Sequence, residues 1–226
     1  MIEAVMLWNE PNNLSHWDRE LDPDWSRFAV MSSMAAEEIR ALAPGTRLVL
    51  GGISPIDPAF LRLLDGHGLL ARLDVIALHG FPYDWNLWHG EEWRAKIRAI
   101  AAEFRMPVWV TEVGVSSWAS ERNMTWGLRK LAPILKDEAE RVHWYTLFDL
   151  APEREATTRH GVAEGSAYWR HFHFGLLRAD GSPKPALHAF DPALGICQWV
   201  HYEDDDRLQA TVEWLHRLGV RHVRTG

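Results

Sequence analysis

Residues 108–114 read Val-Trp-Val-Thr-Glu-Val-Gly, an apolar and largely β-branched run with one carboxylate, Glu112, close to its end. Near the beginning of the chain, residues 4–10 read Ala-Val-Met-Leu-Trp-Asn-Glu and place Glu10 directly after a similar run. Runs of this kind are typical of strands that are buried on both faces of a parallel sheet. Both glutamates are therefore predicted to stand where a strand opens into a loop.

Seven such runs recur along the chain, and helical patterns separate most of them. The predicted strands are Ala4–Trp8, Arg47–Gly51, Val75–His79, Val108–Val113, Val142–Phe148, Ile196–His201 and Arg221–Arg224. The predicted helices are Asp24–Leu42, Ala59–Leu70 with Asp57 as its N-cap, Glu91–Phe104, Glu121–Ala139 and Asp206–Leu218. This alternation predicts an α/β fold, and glutamates at strand ends favour a (β/α)8 (TIM) barrel over an open doubly wound sheet.

Composition predicts one globular domain without nucleic-acid or membrane partners. The chain has 226 residues and a net charge of −7 with acids and bases interspersed, so no basic nucleic-acid face is expected. No stretch approaches the ~20 apolar residues of a membrane span, and the first residues do not resemble a secretory signal. The single cysteine, Cys197, cannot form an internal disulfide. A cytoplasmic location is the resulting expectation.

Thirteen tryptophans are an unusual number for a chain of this length. Indole faces fill cores, and they also stack on the apolar C–H faces of sugar rings. Five of them lie in or next to predicted strand ends and are the expected substrate contacts: Trp8, Trp85, Trp88, Trp118 and Trp144.

Several short segments carry a family resemblance when they are taken together. They are Trp8-Asn9-Glu10-Pro11, His79-Gly80-Phe81-Pro82, Val110-Thr111-Glu112-Val113-Gly114, Trp144, and Phe174–Leu177 followed by Asp180–Ala186. They resemble the fourth, sixth, seventh and eighth strands and the last helix of the retaining β-glycosidases in the (β/α)8 superfamily called clan A. The β-xylosidase-like family 39 is the most similar, and the resemblance spans most of residues 1–193.

The resemblance implies a double-displacement mechanism in which Glu112 is the nucleophile and Glu10 is the acid/base. In retaining enzymes the two carboxyl groups lie roughly 5–5.5 Å apart. A group that protonates the leaving oxygen needs a raised pKa, so a raised pKa is expected for Glu10. The substrate would be a β-linked sugar such as a xyloside or a glucoside.

Further roles are expected for Asn9, His79, Arg224 and a tyrosine. Asn9 is expected to hydrogen-bond the sugar 2-hydroxyl, although a local turn is the alternative. His79 would contact substrate or a catalytic carboxylate, or be a buried core histidine. Arg224 matches the second-strand arginine that relatives place against the nucleophile. Because Phe81 stands where some relatives have a supporting tyrosine, Tyr145 or Tyr83 is the candidate substitute.

The order of the segments departs from that family. Residues 195–226 resemble the first two strands of such a barrel, yet they come last. A circular permutation that begins at strand four explains this order, and strand three is then missing. The sequence therefore predicts an incomplete barrel, which a further segment of roughly sixty residues or self-association would complete.

No metal or organic cofactor is expected, because two carboxylates suffice for this chemistry. A metal site at His160, His171 and His173 is a weaker alternative, since no acidic or cysteine partner has ligand spacing. A non-catalytic carbohydrate-binding protein and an open α/β hydrolase of another kind also remain as alternatives.

Overall fold

The computed structural model describes residues 2–86, 88–151 and 166–225. Its strands are β1 Ala4–Leu7, β2 Arg47–Ile53, β3 Val75–Gly80, β4 Val108–Val113, β5 Arg141–Tyr145, β6 Gly195–Cys197 and β7 Val223–Arg224. Its helices are α1 Ser26–Leu42, α2 Pro58–Gly66, α3 Glu92–Phe104, α4 Glu121–Glu138, α5 Ser166–Arg170 and α6 Asp205–Leu218. Short 3₁₀ turns lie at Leu70–Arg72, His171–His173, Pro185–Ala189 and Val200–Tyr202. All seven predicted strands and all five predicted helices are present.

The chain forms two compact units. Unit 1 comprises Met1–Gly80 and Lys96–Val110, and unit 2 comprises Phe81–Ala95 and Thr111–Gly226. Strand β4 and helix α3 each pass through the division. The prediction that the 226 residues form one domain stays a prediction.

In unit 1 the strands are hydrogen-bonded in the order β1-β2-β3-β4. Strands β1, β2 and β3 are parallel, with Ala4 opposite Arg47 and Val49 opposite Val75. The ladder between β2 and β3 is irregular after Leu50, where two glycines, Gly51 and Gly52, interrupt the apolar run. These glycines lie beside the loop that carries Glu10.

In unit 2 the strand order is β4-β5-β6-β7. Strands β5, β6 and β7 are parallel, with Trp144 opposite Ile196 and Cys197 opposite Arg224. Every residue of β4 is buried. This register places Arg224, near the end of the described chain, next to Cys197 on the neighbouring strand.

Two predicted strands end earlier than expected. The predicted Val142–Phe148 stops at Tyr145, and the predicted Ile196–His201 stops at Cys197. The Gln198 side-chain oxygen accepts hydrogen bonds from the Leu147 and Phe148 N–H groups at 3.1 and 3.3 Å. The predicted β5 residues beyond Tyr145 therefore bond to a side chain and to a neighbouring loop instead of a strand ladder.

The helix predicted over Ala59–Leu70 also ends earlier, at Gly66. Asp57 caps it as expected, since its side chain accepts a hydrogen bond from the Ala59 N–H at 2.8 Å. Gly68 follows with φ = +74°, a conformation that favours glycine and ends helices. Of the remaining predicted residues only Leu70 is helical, as the first residue of the 3₁₀ turn Leu70–Arg72.

Candidate active site

Unit 1 carries Glu10 in a sharply turned loop. After β1 ends at Leu7, both Trp8 (φ 68°) and Glu10 (φ 43°) adopt left-handed backbone conformations. Residues other than glycine do so at an energetic cost, and such residues concentrate at functional sites. The Asn13 N–H then bonds the Glu10 carbonyl at 2.9 Å and closes the turn.

The two carboxylate oxygens of Glu10 have different partners. Oε1 lies 2.8 Å from His79 Nδ1, and Oε2 accepts a hydrogen bond from Asn13 Nδ2 at 2.8 Å. His16 Nδ1 lies 3.8 Å from Oε2, beyond hydrogen-bond distance. The Glu10 side chain is 13% exposed, whereas that of His79 is inaccessible. Of the alternatives for His79, the structure therefore shows contact with a carboxylate.

The expectation of a raised Glu10 pKa is wrong for this structure. Burial raises the pKa of Glu10, but the hydrogen bond and charge of His79 and the hydrogen bond from Asn13 outweigh burial and bring the pKa below its ordinary value. An ionised carboxylate only accepts hydrogen bonds, so His79 Nδ1 carries the hydrogen of this contact. The lowered pKa favours the ionised form of Glu10.

Two glycines of β2 make room for this arrangement. A Cβ atom at Gly52 would lie 2.0 Å from Cδ2 and Nε2 of the His79 ring. A Cβ atom at Gly51 would lie 2.4 Å from the Trp8 carbonyl oxygen. Side chains at either position would therefore displace His79 or the Glu10 loop. In the sequence, Gly51 was identified only as the end of a predicted strand.

Unit 2 carries Glu112 within the buried strand β4. The Arg224 Nη1 group, from β7, donates hydrogen bonds to Glu112 Oε1 and, at 3.0 Å, to Cys197 Sγ. The side chains of Glu112 and Arg224 are 8% and 7% exposed. An arginine and a glutamate this deeply buried need each other, because an unpaired buried charge is strongly unfavourable.

Burial and neighbouring groups shift the pKa values of Arg224 and Cys197. Burial lowers the pKa of Arg224, but the negative charge of Glu112 and the sulfur of Cys197 raise it above its ordinary value overall. Burial raises the pKa of the Cys197 thiol to about 12, so this group is a neutral thiol at pH 7. From the sequence, Cys197 was noted only as a cysteine that cannot form an internal disulfide, because the sequence does not show its proximity to Arg224.

The predicted aromatic contacts differ widely in exposure. Trp8 is 44% exposed and Trp118 is 36% exposed, so both offer ring surface to a ligand. Trp85 is half-buried within unit 2, where its ring lies 4.3 Å from His171 and 4.8 Å from Phe174. Trp144 is 1% exposed and leaves no face for a sugar, which corrects its assignment as a substrate contact.

The remaining candidates are placed as follows. Asn9 Nδ2 lies 3.5 Å from His16 Nε2 in unit 1. In unit 2 the Tyr145 ring packs edge-on against Phe81 and Phe174, at 5.7 and 5.6 Å. Tyr83 Oη hydrogen-bonds Glu91 at 3.0 Å.

Two candidates considered as weaker also have positions. The ring of half-buried His171 lies 4.3 Å from that of Trp85 at a tilt of 36°, and His173 Nδ1 lies 3.8 Å from Asp149 Oδ2. His160 lies outside the described residues. Asp149 pairs with buried Lys184, 35 residues further along the chain, at 2.6 Å.

Comparison with known proteins identifies the family. The sequence pattern of the glycosyl hydrolase catalytic core matches residues 1–169, three quarters of the chain. The chain belongs to the glycosyl hydrolase catalytic core family. No curated protein sequence matches it significantly.

Solved glycoside hydrolases are similar to this chain in fold. The Ignisphaera aggregans family 53 catalytic domain superposes with a TM-score of 0.61 at 18% identity, over 85% of this chain and 59% of that one. A Caulobacter crescentus family 39 β-xylosidase superposes with a TM-score of 0.53 at 20% identity, over 81% of this chain and 39% of that one. Bacteroides uniformis β-glucuronidase superposes with a TM-score of 0.55 at 13% identity, over 74% of this chain and 20% of that one.

These comparisons confirm the α/β fold of TIM-barrel type. The chain spans only about a fifth of the β-glucuronidases that it matches. Because several glycoside hydrolase families are represented, membership of family 39 in particular stays a prediction. Among the described residues, no helix has the length and apolar composition needed to cross a membrane, and the cytoplasmic location stays a prediction.

Proposed function

We propose that this glycosyl hydrolase is a retaining β-glycosidase that uses Glu112 as nucleophile and Glu10 as acid/base. The observation that carries the proposal is the buried pairing of the Glu112 carboxylate with the Arg224 guanidinium. A carboxylate beside a permanent cation is in the charged form that attack on an anomeric carbon needs. β-Linked xylosides or glucosides are the proposed substrates, by resemblance to family 39.

The reaction proceeds in two displacements. In the first, a Glu112 oxygen forms a bond to the anomeric carbon while the glycosidic C–O bond breaks, and Glu10 gives its proton to the leaving oxygen. In the second, water attacks the same carbon, Glu10 takes the water proton, and the bond to Glu112 breaks.

Substrate contacts follow from exposure and position. Trp8 and Trp118 present exposed indole surface on which a sugar ring can stack. Asn9, next to Glu10 in the chain, is proposed to hydrogen-bond the 2-hydroxyl, a contact that strengthens as positive charge develops on the ring. Half-buried Trp85 and Tyr145 of unit 2 are also proposed as substrate contacts.

Replacement of the nucleophile tests the proposal. Glu112→Gln should lower kcat on aryl β-xylosides and β-glucosides by at least about a thousandfold, since covalent catalysis then lacks its nucleophile. Binding of the corresponding free sugar should persist. Glu213→Gln, at an exposed position of α6, is the matched control and should keep wild-type kcat.

A non-catalytic carbohydrate-binding protein is the second candidate. The exposed tryptophans Trp8 and Trp118 favour it, because stacking on sugar rings requires no catalysis. It predicts sugar binding that Trp8→Ala weakens, with no hydrolysis of any aryl glycoside by the wild-type protein. Detectable turnover that disappears in Glu112→Gln excludes it.

We also propose that the chain is a circularly permuted barrel. Strands β6 and β7 follow β5 in the sheet of unit 2, as the first strands would follow the last in a closed barrel. The contact of Arg224, on β7, with Glu112 supports this order. Self-association or completion by a further segment stays a prediction, and sizing chromatography of the purified chain tests the former.

A further inference from the structure

Three polar side chains of the loop that carries Glu10 lie near the Glu10 carboxylate. The Asn13 N–H bonds the Glu10 carbonyl and the His16 N–H bonds the Asn13 carbonyl, each at 2.9 Å. The Trp8 Nε1 group closes the loop by donating to the His16 carbonyl at 3.1 Å. Asn13, Ser15 and His16 thus lie beside Glu10 within unit 1, and none of them was assigned a role from the sequence.

The Asn13 amide has one permitted orientation. Its Oδ1 accepts hydrogen bonds from the Ser15 N–H at 3.1 Å and from the Ser15 hydroxyl at 2.9 Å. Its Nδ2 donates to Glu10 Oε2 at 2.8 Å. A flipped amide would place its oxygen against a carboxylate and its NH2 against two donors, so only the observed orientation satisfies both sides.

The orientation of Asn13 fixes the hydrogen of Ser15 and the tautomer of His16. A serine hydroxyl has a single hydrogen, and Ser15 gives it to Asn13 Oδ1. In the 3.0 Å contact between Ser15 Oγ and His16 Nδ1, Nδ1 must then be the donor and Oγ the acceptor. In the neutral ring Nε2 is an acceptor, and Asn9 Nδ2 lies 3.5 Å from it.

We infer that Asn9, His16, Ser15, Asn13 and Glu10 form one directed hydrogen-bond chain that positions the acid/base. Each member donates to the next, from the Asn9 amide to Glu10 Oε2. The inference rests on the proposed function, in which Asn9 contacts the sugar and Glu10 transfers the proton. Asn13, Ser15 and His16 are positioning residues, because they act through Asn9 and Glu10.

The chain matters because proton transfer depends on the direction in which a carboxyl group points. The NH2 group of Asn13 donates and cannot accept, so the lone pair of Oε2 that it binds cannot carry the transferred proton. The carboxyl plane is thereby fixed between Asn13 and His79 before substrate arrives. Such preorganisation lowers the barrier only where the proton is needed in the transition state.

The His16 tautomer gives a readout that is independent of activity. In the wild-type protein at about pH 8, above the ordinary histidine pKa of about 6.5, two-bond ¹H–¹⁵N correlation spectra should show hydrogen on His16 Nδ1. Ser15→Ala removes the hydroxyl that accepts the hydrogen of His16 Nδ1. The signals should then shift toward the tautomer with hydrogen on Nε2. Ser15→Thr, which keeps a hydroxyl, should restore the wild-type tautomer.

Leaving-group dependence tests the link to catalysis. Phenyl β-glycosides need protonation of the departing oxygen, whereas 2,4-dinitrophenyl β-glycosides do not. Ser15→Ala should lower kcat/KM on the phenyl substrate about tenfold, a part of the 10²–10⁴ that general acids contribute. The loss on the dinitrophenyl substrate should stay below about twofold, and Ser15→Thr should recover most of the phenyl activity.

Each outcome decides the inference. A His16 with hydrogen on Nε2 in the wild-type protein overturns the chain, and equal losses on both leaving groups overturn its role in positioning. Tautomer and leaving-group effects that appear together in Ser15→Ala and revert in Ser15→Thr support it. If the wild-type protein hydrolyses neither substrate, the proposed function fails, and the tautomer alone decides whether the chain of hydrogen bonds exists.

Discussion

Glu112 and Arg224 form a buried ion pair although 112 residues of chain separate them. The pair joins β4 to β7 across the two intervening strands of unit 2. Since each side chain is less than a tenth exposed, the two charges stabilise each other where water does not. This relationship makes Arg224 as important to the fold of unit 2 as to the proposed chemistry.

Arg224→Met should therefore destabilise the fold. Loss of one partner of a buried pair should lower the free energy of unfolding by about 3–5 kcal/mol. Arg224→Lys keeps the charge and should lose less. Urea unfolding followed by circular dichroism measures both, with exposed Arg221→Met as control. Equal stability of Arg224→Met and the control would contradict the buried pairing.

Gly52 should be intolerant of a methyl group. Gly52→Ala would place Cβ 2.0 Å from the His79 ring, so His79 must move away from Glu10. We expect kcat/KM to fall at least about tenfold through loss of this positioning. Gly45→Ala, whose Cβ would meet nothing within 4 Å, is the matched control and should keep activity. Wild-type kinetics in Gly52→Ala would argue against a role for His79.

Asp22 should make stability depend on pH. This buried carboxylate accepts hydrogen bonds from the N–H groups of Arg27 and Phe28 at the start of α1, at 3.1 and 2.9 Å. Burial raises the pKa of Asp22, but these hydrogen bonds and that of Trp17 lower it below its ordinary value overall. A lowered carboxyl pKa stabilises the fold above the unfolded value of about 3.9. The contribution is lost as pH falls through the folded pKa.

Asp22→Asn should consequently cost about 1–2 kcal/mol of unfolding free energy at pH 7, the usual cost of losing a helix cap. The difference from wild type should be the same at about pH 5 and should shrink below about pH 4. Urea unfolding at several pH values measures it. Asp65→Asn, at an exposed position of α2, should show no such trend. A stability difference that grows as pH falls would contradict the predicted direction of the pH dependence.

Asp149 and Lys184 should behave as a coupled pair. Burial raises the pKa of Asp149 and lowers that of Lys184, and their mutual attraction offsets this only in part. Lys184→Met and Asp149→Leu should each destabilise by about 3–5 kcal/mol. The double variant should be more stable than the sum of the two losses predicts, by about 1–3 kcal/mol. Simple additivity in thermal or urea unfolding would contradict a direct pairing.

The sequence predicts the strands and helices well, because their apolar periodicity is local. Strand β4 has the predicted bounds, and the Asp57 cap is visible as a short motif. Local patterns do not contain the contacts that long loops make, which is why the burial of Asp149 and Trp144 was missed. The position of Arg224 came from resemblance, since its partner lies half the chain away.

The part of the candidate site around Glu10 shows the same limit. Asn9, Glu10 and His79 could be selected from residue type and strand position. The partners Asn13, Ser15 and His16 depend on the left-handed turn at Glu10, which no sequence pattern indicated. The lowered Glu10 pKa also depends on the distance to His79, a quantity that only the fold determines.

Covalent labelling of the nucleophile tests the central claim most directly. The wild-type protein would be incubated with activated 2-deoxy-2-fluoro-β-glycosides of xylose, glucose and galactose, and its intact mass recorded. A retaining enzyme should gain one fluorosugar, on Glu112, and Glu112→Gln should gain none. A folded wild-type protein that hydrolyses aryl glycosides yet gains no adduct on Glu112 would contradict the proposed mechanism.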